Sequence, residues 1–453
     1  MYISKDDFIK LYADKIRNEE ASIFIGAGIS MELGLPSWKD LLSPCAQKMH
    51  LDIEKISDYY LLSQYYSNLY GVNELKRMLH SGLYSECSDN KSLEQIIHLN
   101  YKTIWTTNFD SVIENAMLAH HLRHITVNND NDLVNISHTD IPIIYKLNGD
   151  LHDLEHIILT HEDWENYEYT HPTMLTFLKK ELVCNTFLFL GYSFNDNLIK
   201  NILNNIKRFV GESCNYHCTI MKKEDTPQFE YFIHDLEKRY HVRTILIDNY
   251  DEIPEILSKI YYKVHERNIF ISGRLGDISI EVEQQACELG KELANMLLKN
   301  NYNICTGMGR KIGYFITGPA IQYLIAQKIR HIDKRILIRP FDDTNSPENQ
   351  TKYRHYLLQQ NNVVIFIYGH HYKNGISTGS KGVYEEFQMA KELNLKIIPI
   401  GSTGYESARI WEEVKEYIID YPYLEKYIDS LKTETNPSKI VKIVHEILSS
   451  LLE

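Results

Sequence analysis

The sequence lacks paired cysteines. Its seven cysteines are odd in number, none stands in a Cys-x-x-Cys pair, and the closest two, Cys214 and Cys218, have no second pair or histidine frame to complete a zinc site. This excludes a disulfide scaffold and a zinc ribbon, and leaves scattered buried thiols as the expectation, with no metal. Apolar runs long enough to cross a membrane are also missing. The longest, such as 186–191 and 363–368, are strand-sized. Met1-Tyr-Ile-Ser-Lys-Asp-Asp carries no basic region followed by an apolar segment, so no secretory leader is expected and the location is read as cytoplasmic. Positive charge is scarce: 48 Lys and Arg face 61 Asp and Glu, a net charge of −13. That argues against nucleic acid or an anionic membrane as partner, while leaving room for a local basic pocket. Low-complexity tracts and short fixed-period repeats are absent as well.

What is present is an ordinary globular composition, 43% apolar and 24% charged, over 453 residues. That length is about three times a common domain size, so two or three domains are expected, each able to bury a core. Six strand-like runs, starting near Ser22, Thr103, Ile143, Thr186, His217 and Arg243, alternate with helical spacing such as 195–209 and 230–240. Alternation of this kind predicts parallel sheets with helices on both faces. Residues 37–98 are helical in pattern and strand-poor, which reads as a helical module inserted in the first sheet. A second strand series begins at Asn268 and continues near Tyr302, Arg335, Asn362 and Lys396. The polar stretch around Lys263–Asn268 marks the boundary, giving domains 1–265 and 268–453. The fold class is therefore α/β, two Rossmann-like parallel-sheet domains. The last helix, 438–452, is expected to pack on the second.

Four strand ends in the first domain carry small or polar residues: Gly26-Ala27-Gly28-Ile29-Ser30, Thr106-Thr107-Asn108-Phe109-Asp110, Leu147-Asn148-Gly149-Asp150-Leu151-His152 and Gly191-Tyr192-Ser193-Phe194-Asn195-Asp196. Glycines after a strand allow a tight turn and close approach to a pyrophosphate; they also arise merely to make the turn. Asn or Asp after a strand suits a ligand crevice, or caps a helix. In order and in combination, these motifs resemble the sirtuin NAD-binding domain over about residues 8–260. The resemblance implies NAD contacts at Gly26, Ala27, Gly28, Ser30, Thr107, Asp110 and Ser193, with Asn108 at the nicotinamide ribose. It also implies a general-base histidine where this sequence has Asn148; the nearest histidine is His152. Asn108, Asn148 and His152 are thus the catalytic candidates. Sirtuin deacylases carry a four-cysteine zinc ribbon that is missing here, so water is expected to be the acceptor and an NAD glycohydrolase is favoured over a protein deacylase. A non-catalytic nucleotide sensor is the other alternative, motivated by Asn148.

In the second half, Gly273-Arg274 follows the first strand and Thr306-Gly307-Met308-Gly309-Arg310-Lys311 follows the second. Glycines beside cations suit a phosphorylated ligand. The run Thr378-Gly-Ser-Lys-Gly-Val-Tyr-Glu385-Glu386 reads as a degraded Pro-Gly-Gly-x-Gly-Thr-x-x-Glu entering a helix. Residues 268–400 resemble the SLOG family of nucleotide-binding domains, with catalysis lost and a pocket kept. The tandem resembles the NADase effectors of the Thoeris anti-phage system. That resemblance implies a cyclic ADP-ribose isomer as activator, made by a TIR-domain partner protein and held by Gly273, Arg274, Arg339, Arg354, His371 and Glu386. It further implies allosteric activation and a homotetramer. Arg354 is expected just before a strand and Glu386 on the helix after the glycine motif.

Overall fold

The computed structural model describes residues 2–83, 90–136, 141–194, 197–340, 346–373 and 376–451. The chain divides into two compact units, Met1–Val264 and His265–Glu453. Among the described residues, no helix is long and apolar enough to cross a membrane.

The first unit is built on strands β1 (Ala21–Ile25), β2 (Thr103–Thr106), β3 (Ile125–Val127), β4 (Ile143–Lys146), β5 (Thr186–Leu190), β6 (His217–Lys222) and β7 (Val242–Ile247). They form one parallel sheet in the order β3-β4-β2-β1-β5-β6-β7. Alternation along the strands sends side chains to two cores. Ile23, Ile25, Leu188 and Leu190 join one with Leu42, Leu62 and Leu75, while Phe24, Phe187, Phe189 and Trp105 form an aromatic core on the other face. The inserted module is helical as expected, with helices Trp38–Lys48, Tyr59–Tyr70, Val72–Gly82 and Lys91–His98. Ser37, Asp58 and Asn90 cap three of these, each accepting a backbone N–H of the first turn. Strand β3 was not among the six expected; Thr126 splits its two apolar residues, so it shows no continuous apolar run. The helix expected over 195–209 spans Asn197–Val210, and Asn195 and Asp196 lie outside the described residues.

In the second unit β8 (Asn268–Arg274), β9 (Asn303–Thr306), β10 (Ile336–Ile338), β11 (Val363–Tyr368) and β14 (Lys396–Pro399) form a parallel sheet, ordered β10-β9-β8-β11-β14. The closing helix, Pro437–Ser450, buries Ile440, Val444 and Ile447 in this unit's core. An antiparallel pair, β12 (His370–Lys373) with β13 (Ile376–Gly379), was not anticipated. Its residues are mostly polar and lack apolar alternation. Two further expectations need correction. Arg354 lies on the helix Pro347–Leu358 rather than on the approach to β11, because Ser346 caps that helix and Pro347 opens it. Of the described cysteines, Cys184 and Cys287 are exposed, whereas Cys45, Cys214, Cys218 and Cys305 are buried.

Candidate functional site

In the first unit the chain leaves β1 toward β2 and leaves β5 toward β6, on opposite sides of β1. That reversal opens a crevice at the C-terminal strand ends, where open sheets of this kind bind ligands. Gly26 N–H donates to Leu190 O (2.8 Å) and Gly28 N–H to Gly191 O (2.9 Å), stitching the loop after β1 to the loop after β5. A Cβ on Gly28 would come within 2.8 Å of Gly191 Cα, so glycine is required here by the packing of two loops. Gly191 itself has φ +65°, in the left-handed region.

The loop after β2 enters this frame through Asn108, whose side chain is buried. Its Nδ2 donates to Gly26 O and Ser30 Oγ, both at 3.1 Å, and its backbone N–H donates to Thr106 Oγ1 at 2.9 Å. Both amide hydrogens are thereby engaged, and among the described residues Oδ1 has no partner. Asp110 Oδ1 accepts the N–H of Val112 (3.1 Å), first residue of the following helix, whose N-cap is Ser111, and Asp110 also lines the crevice. Beneath the loop, fully buried Lys146 donates to Asp110 O (2.7 Å) and Phe109 O (3.3 Å), pairs with Asp150, and faces Glu114 Oε1 at 3.0 Å. Burial opposes its charge, but the Glu114 and Asp150 carboxylates outweigh burial and hold the ammonium above its ordinary range. Lys146 thus ties the loop after β2 to the loop after β4.

Above these loops lies a cavity of about 1630 Å³. Ala27, Gly28, Ser30, Thr107, Asn108, Asp110 and Ser193 all line it. The other two catalytic candidates do not. Asn148 is fully buried behind the wall, where its Nδ2 donates to Tyr60 Oη at 3.1 Å. His152 is exposed, and its backbone N–H is held by Asp150 Oδ1 at 2.7 Å. The histidine that does line the cavity is His161, first residue of the helix His161–Glu165, which a Thr160/Asp163 capping box starts. Its Nδ1 lies 3.3 Å from Glu165 Oε1.

In the second unit, Gly273 and Arg274 end β8, Arg339 follows β10, and His371 lies on β12, all at the C-terminal side of the sheet. A Cβ on Gly273 would meet Ile367 O at 2.7 Å, so this glycine too answers to its own chain. Glu386, on the helix Lys381–Glu392, accepts Ser272 Oγ–H at 2.5 Å and lies 3.7 Å from Arg354 Nε. Burial pushes its carboxyl up to about 7, against the pull of Ser272 and Arg354. Arg354 also donates to Glu385 at 2.8 Å. The cations of the second glycine loop are engaged as well: Arg310 with Asp277 (2.9 and 3.1 Å) and Lys311 with Glu283 (2.5 Å). Arg339 is exposed, with a bond from Nη1 to its neighbour's carbonyl, and Arg274 Nε has no partner among the described residues.

Two family matches follow the same division. Residues 102–245 match the SIR2-like domain, and residues 252–451 match the Sir2- and TIR-associating SLOG family. Over the whole length the chain is 30% identical to the NAD(+) hydrolase ThsA of Bacillus cereus (strain MSX-D12), covering 98% of this chain and 97% of that one. The chain belongs to the ThsA family. Other ThsA proteins, from Cytobacillus dafuensis and Enterococcus faecium, are each 28% identical, over 97% and 100% of their own lengths and all of this chain. The ThsA architecture, a SIR2-like domain followed by a SLOG domain, accounts for the two parallel sheets in order.

Motif reading missed the part of the cavity wall that comes from outside the strand ends. Trp38 and Tyr60 are supplied by the helical module and Trp164 by the His161–Glu165 helix. One signal was available: two of the chain's four tryptophans fall here, in polar surroundings rather than in core patterns.

Proposed function

We propose that the first unit cleaves the N-glycosidic bond of NAD with water, giving nicotinamide and ADP-ribose. The observation that carries this reading is Asn108: buried, fixed by two donor bonds, and left with its carbonyl oxygen unengaged at the cavity. Cleavage moves positive charge onto ribose C1′, and a preorganised carbonyl dipole beside that carbon stabilises it or orients the attacking water. The glycine loop Gly26–Ser30, with Thr107 and Ser193, takes the rest of the dinucleotide, and Asp110 the nicotinamide end. Asn148 acts through Tyr60, and His152 takes no part at the reacting carbon.

The second unit, in this reading, binds a cyclic ADP-ribose isomer made by a TIR-domain partner protein. Gly273, Arg274, Arg339, Arg354, His371 and Glu386 form its site, and binding activates NAD cleavage in a homotetramer during anti-phage defence. A ligand shifts such an equilibrium only by binding the active state more tightly. Here the ligand's diphosphate displaces Glu385 from Arg354 and its ribose hydroxyls donate to Glu386. The test is NAD loss measured across a panel of cyclic ADP-ribose isomers. One isomer should accelerate it, and Arg354→Ala and Glu386→Ala should abolish the acceleration. Asn148 favours a second reading, a non-catalytic nucleotide sensor; persistence of NAD at saturation with every isomer, while binding is retained, selects it.

A further inference from the structure

Among the described residues, Lys146 is the only lysine or arginine that is buried, and no part of it is exposed. Burying a charge is costly, and an apolar residue of similar length would fill this strand end without that cost. The contacts of Lys146 show what the charge does. It closes β4, and its three N–H donors are spent on Asp110 O (2.7 Å), Phe109 O (3.3 Å) and the Asp150 carboxylate. Glu114, on the helix Val112–Ala119, adds a second buried carboxylate at 3.0 Å. Phe109 O also accepts Leu151 N–H at 3.2 Å, and Leu147 N–H donates to Thr106 O at 2.8 Å. Holding a carbonyl constrains the plane of its peptide, so one ammonium constrains the two peptides that follow Phe109 and Asp110.

Asn108 stands between two restraints. Its side chain is tied to Gly26 O and Ser30 Oγ, and its main chain runs directly into the carbonyls that Lys146 holds. We infer that Lys146 is a positioning residue for NAD cleavage: acting through the Phe109 and Asp110 carbonyls, its ammonium fixes the Asn108 carbonyl oxygen relative to the glycine loop, and Glu114 and Asp150 keep that ammonium in place. This rests on the role given to Asn108 above. A displacement of about 1 Å in a group that acts in the transition state costs about 10²-fold in rate. Most of the contacts proposed for the dinucleotide come from the loops after β1 and β5, which Lys146 does not touch. The loss on removing its charge therefore falls mainly on kcat rather than KM.

The test is a double-mutant cycle on the full chain, with turnover normalised to the folded fraction. Lys146→Met keeps the length of the side chain and removes its charge. It should lower kcat about 10²-fold with KM little changed, and Lys146→Arg should restore part of the loss. In the Asn108→Ala background the same Lys146→Met change should cost less than about threefold more, because residues that act as one unit are not additive. Losses that multiply, or a folded Lys146→Met chain that turns over at the unaltered rate, overturn the inference. Amide hydrogen exchange gives a readout that needs no turnover. Exchange across residues 107–111 should quicken in Lys146→Met while β1 and β5 stay protected, and unchanged exchange there overturns the inference as well. If Lys146→Met does not fold, Asp150→Asn, which weakens the hold on the ammonium, takes its place in the cycle with the same non-additivity expected. Failure of the broader reading looks different: Asn108→Ala alone then keeps near-normal turnover, which removes that reading and this one with it, whereas multiplying losses remove this one only.

Discussion

Both units put glycine turns and charged or polar side chains at the C-terminal ends of a parallel sheet, yet they use those residues differently. In the first, the strand-end groups surround a cavity of about 1630 Å³ and Asn108 keeps an acceptor unengaged. In the second, several of the groups pair with one another: Arg354 with Glu385 and Glu386, Arg310 with Asp277, Lys311 with Glu283. One cavity there, of about 330 Å³, is lined by Gly379, Lys381, Tyr384, Glu385, Glu406 and Arg409. A site of the first kind is organised before its ligand arrives. One of the second kind must exchange internal ion pairs for ligand contacts, so binding is coupled to rearrangement.

The sharpest test of this contrast is Lys146→Met. It leaves Glu114 and Asp150 buried without their cation, and should lower the stability of the first unit by about 3–5 kcal/mol in urea unfolding. A loss under about 1 kcal/mol would mean that the loops are not held by this charge. Next, Asn108→Ala should reduce NAD turnover by about 10²–10³-fold with the second unit's ligand binding intact. Near-normal turnover would remove Asn108 from the mechanism. In the second unit the informative variable is pH. The Glu386 carboxyl sits at about 7 in the folded chain against 4.5 as its ordinary value, so the folded state keeps a proton that the unfolded state releases. Its contribution is fully present below pH 4.5 and is lost as pH rises toward 7. Glu386→Gln should flatten that part of the stability profile; an unchanged profile would assign the dependence elsewhere. The smallest effect is expected for Arg310→Ala. Its pair with Asp277 is exposed, and removal should cost less than about 0.5 kcal/mol. A larger cost would show that the second unit's surface pairs are structural.

Legibility from sequence followed the range of the forces involved. The Gly-Ala-Gly-Ile-Ser and Thr-Thr-Asn-Phe-Asp runs could be read because a strand end, a turn and a helix start impose local rules. Asn108 was singled out within its motif by the resemblance to the sirtuin NAD-binding domain, not by local rules, which left a helix cap equally open. What that reading could not supply was partnership. The glycines at 26, 28 and 273 could be read either as room for a ligand or as turn residues, and in the fold they let neighbouring loops and strands touch. Strand β3 and the β12–β13 pair escaped notice because they lack a continuous apolar run: Thr126 splits the two apolar residues of β3, whereas β10, equally short, reads Ile-Leu-Ile.

The sequence alone determined the α/β class, the two strand series, the helical module between β1 and β2 and the set of polar strand ends. Each of these depends on hydrophobic period and turn chemistry within about a dozen residues. Only the tertiary structure decided that His152 faces solvent while His161 reaches the cavity, and that Lys146 braces the Asn108 loop. It alone decided that Trp38, Tyr60 and Trp164 meet Phe109 on one wall. These depend on which residues far apart in the chain become neighbours, and packing, not local preference, sets that.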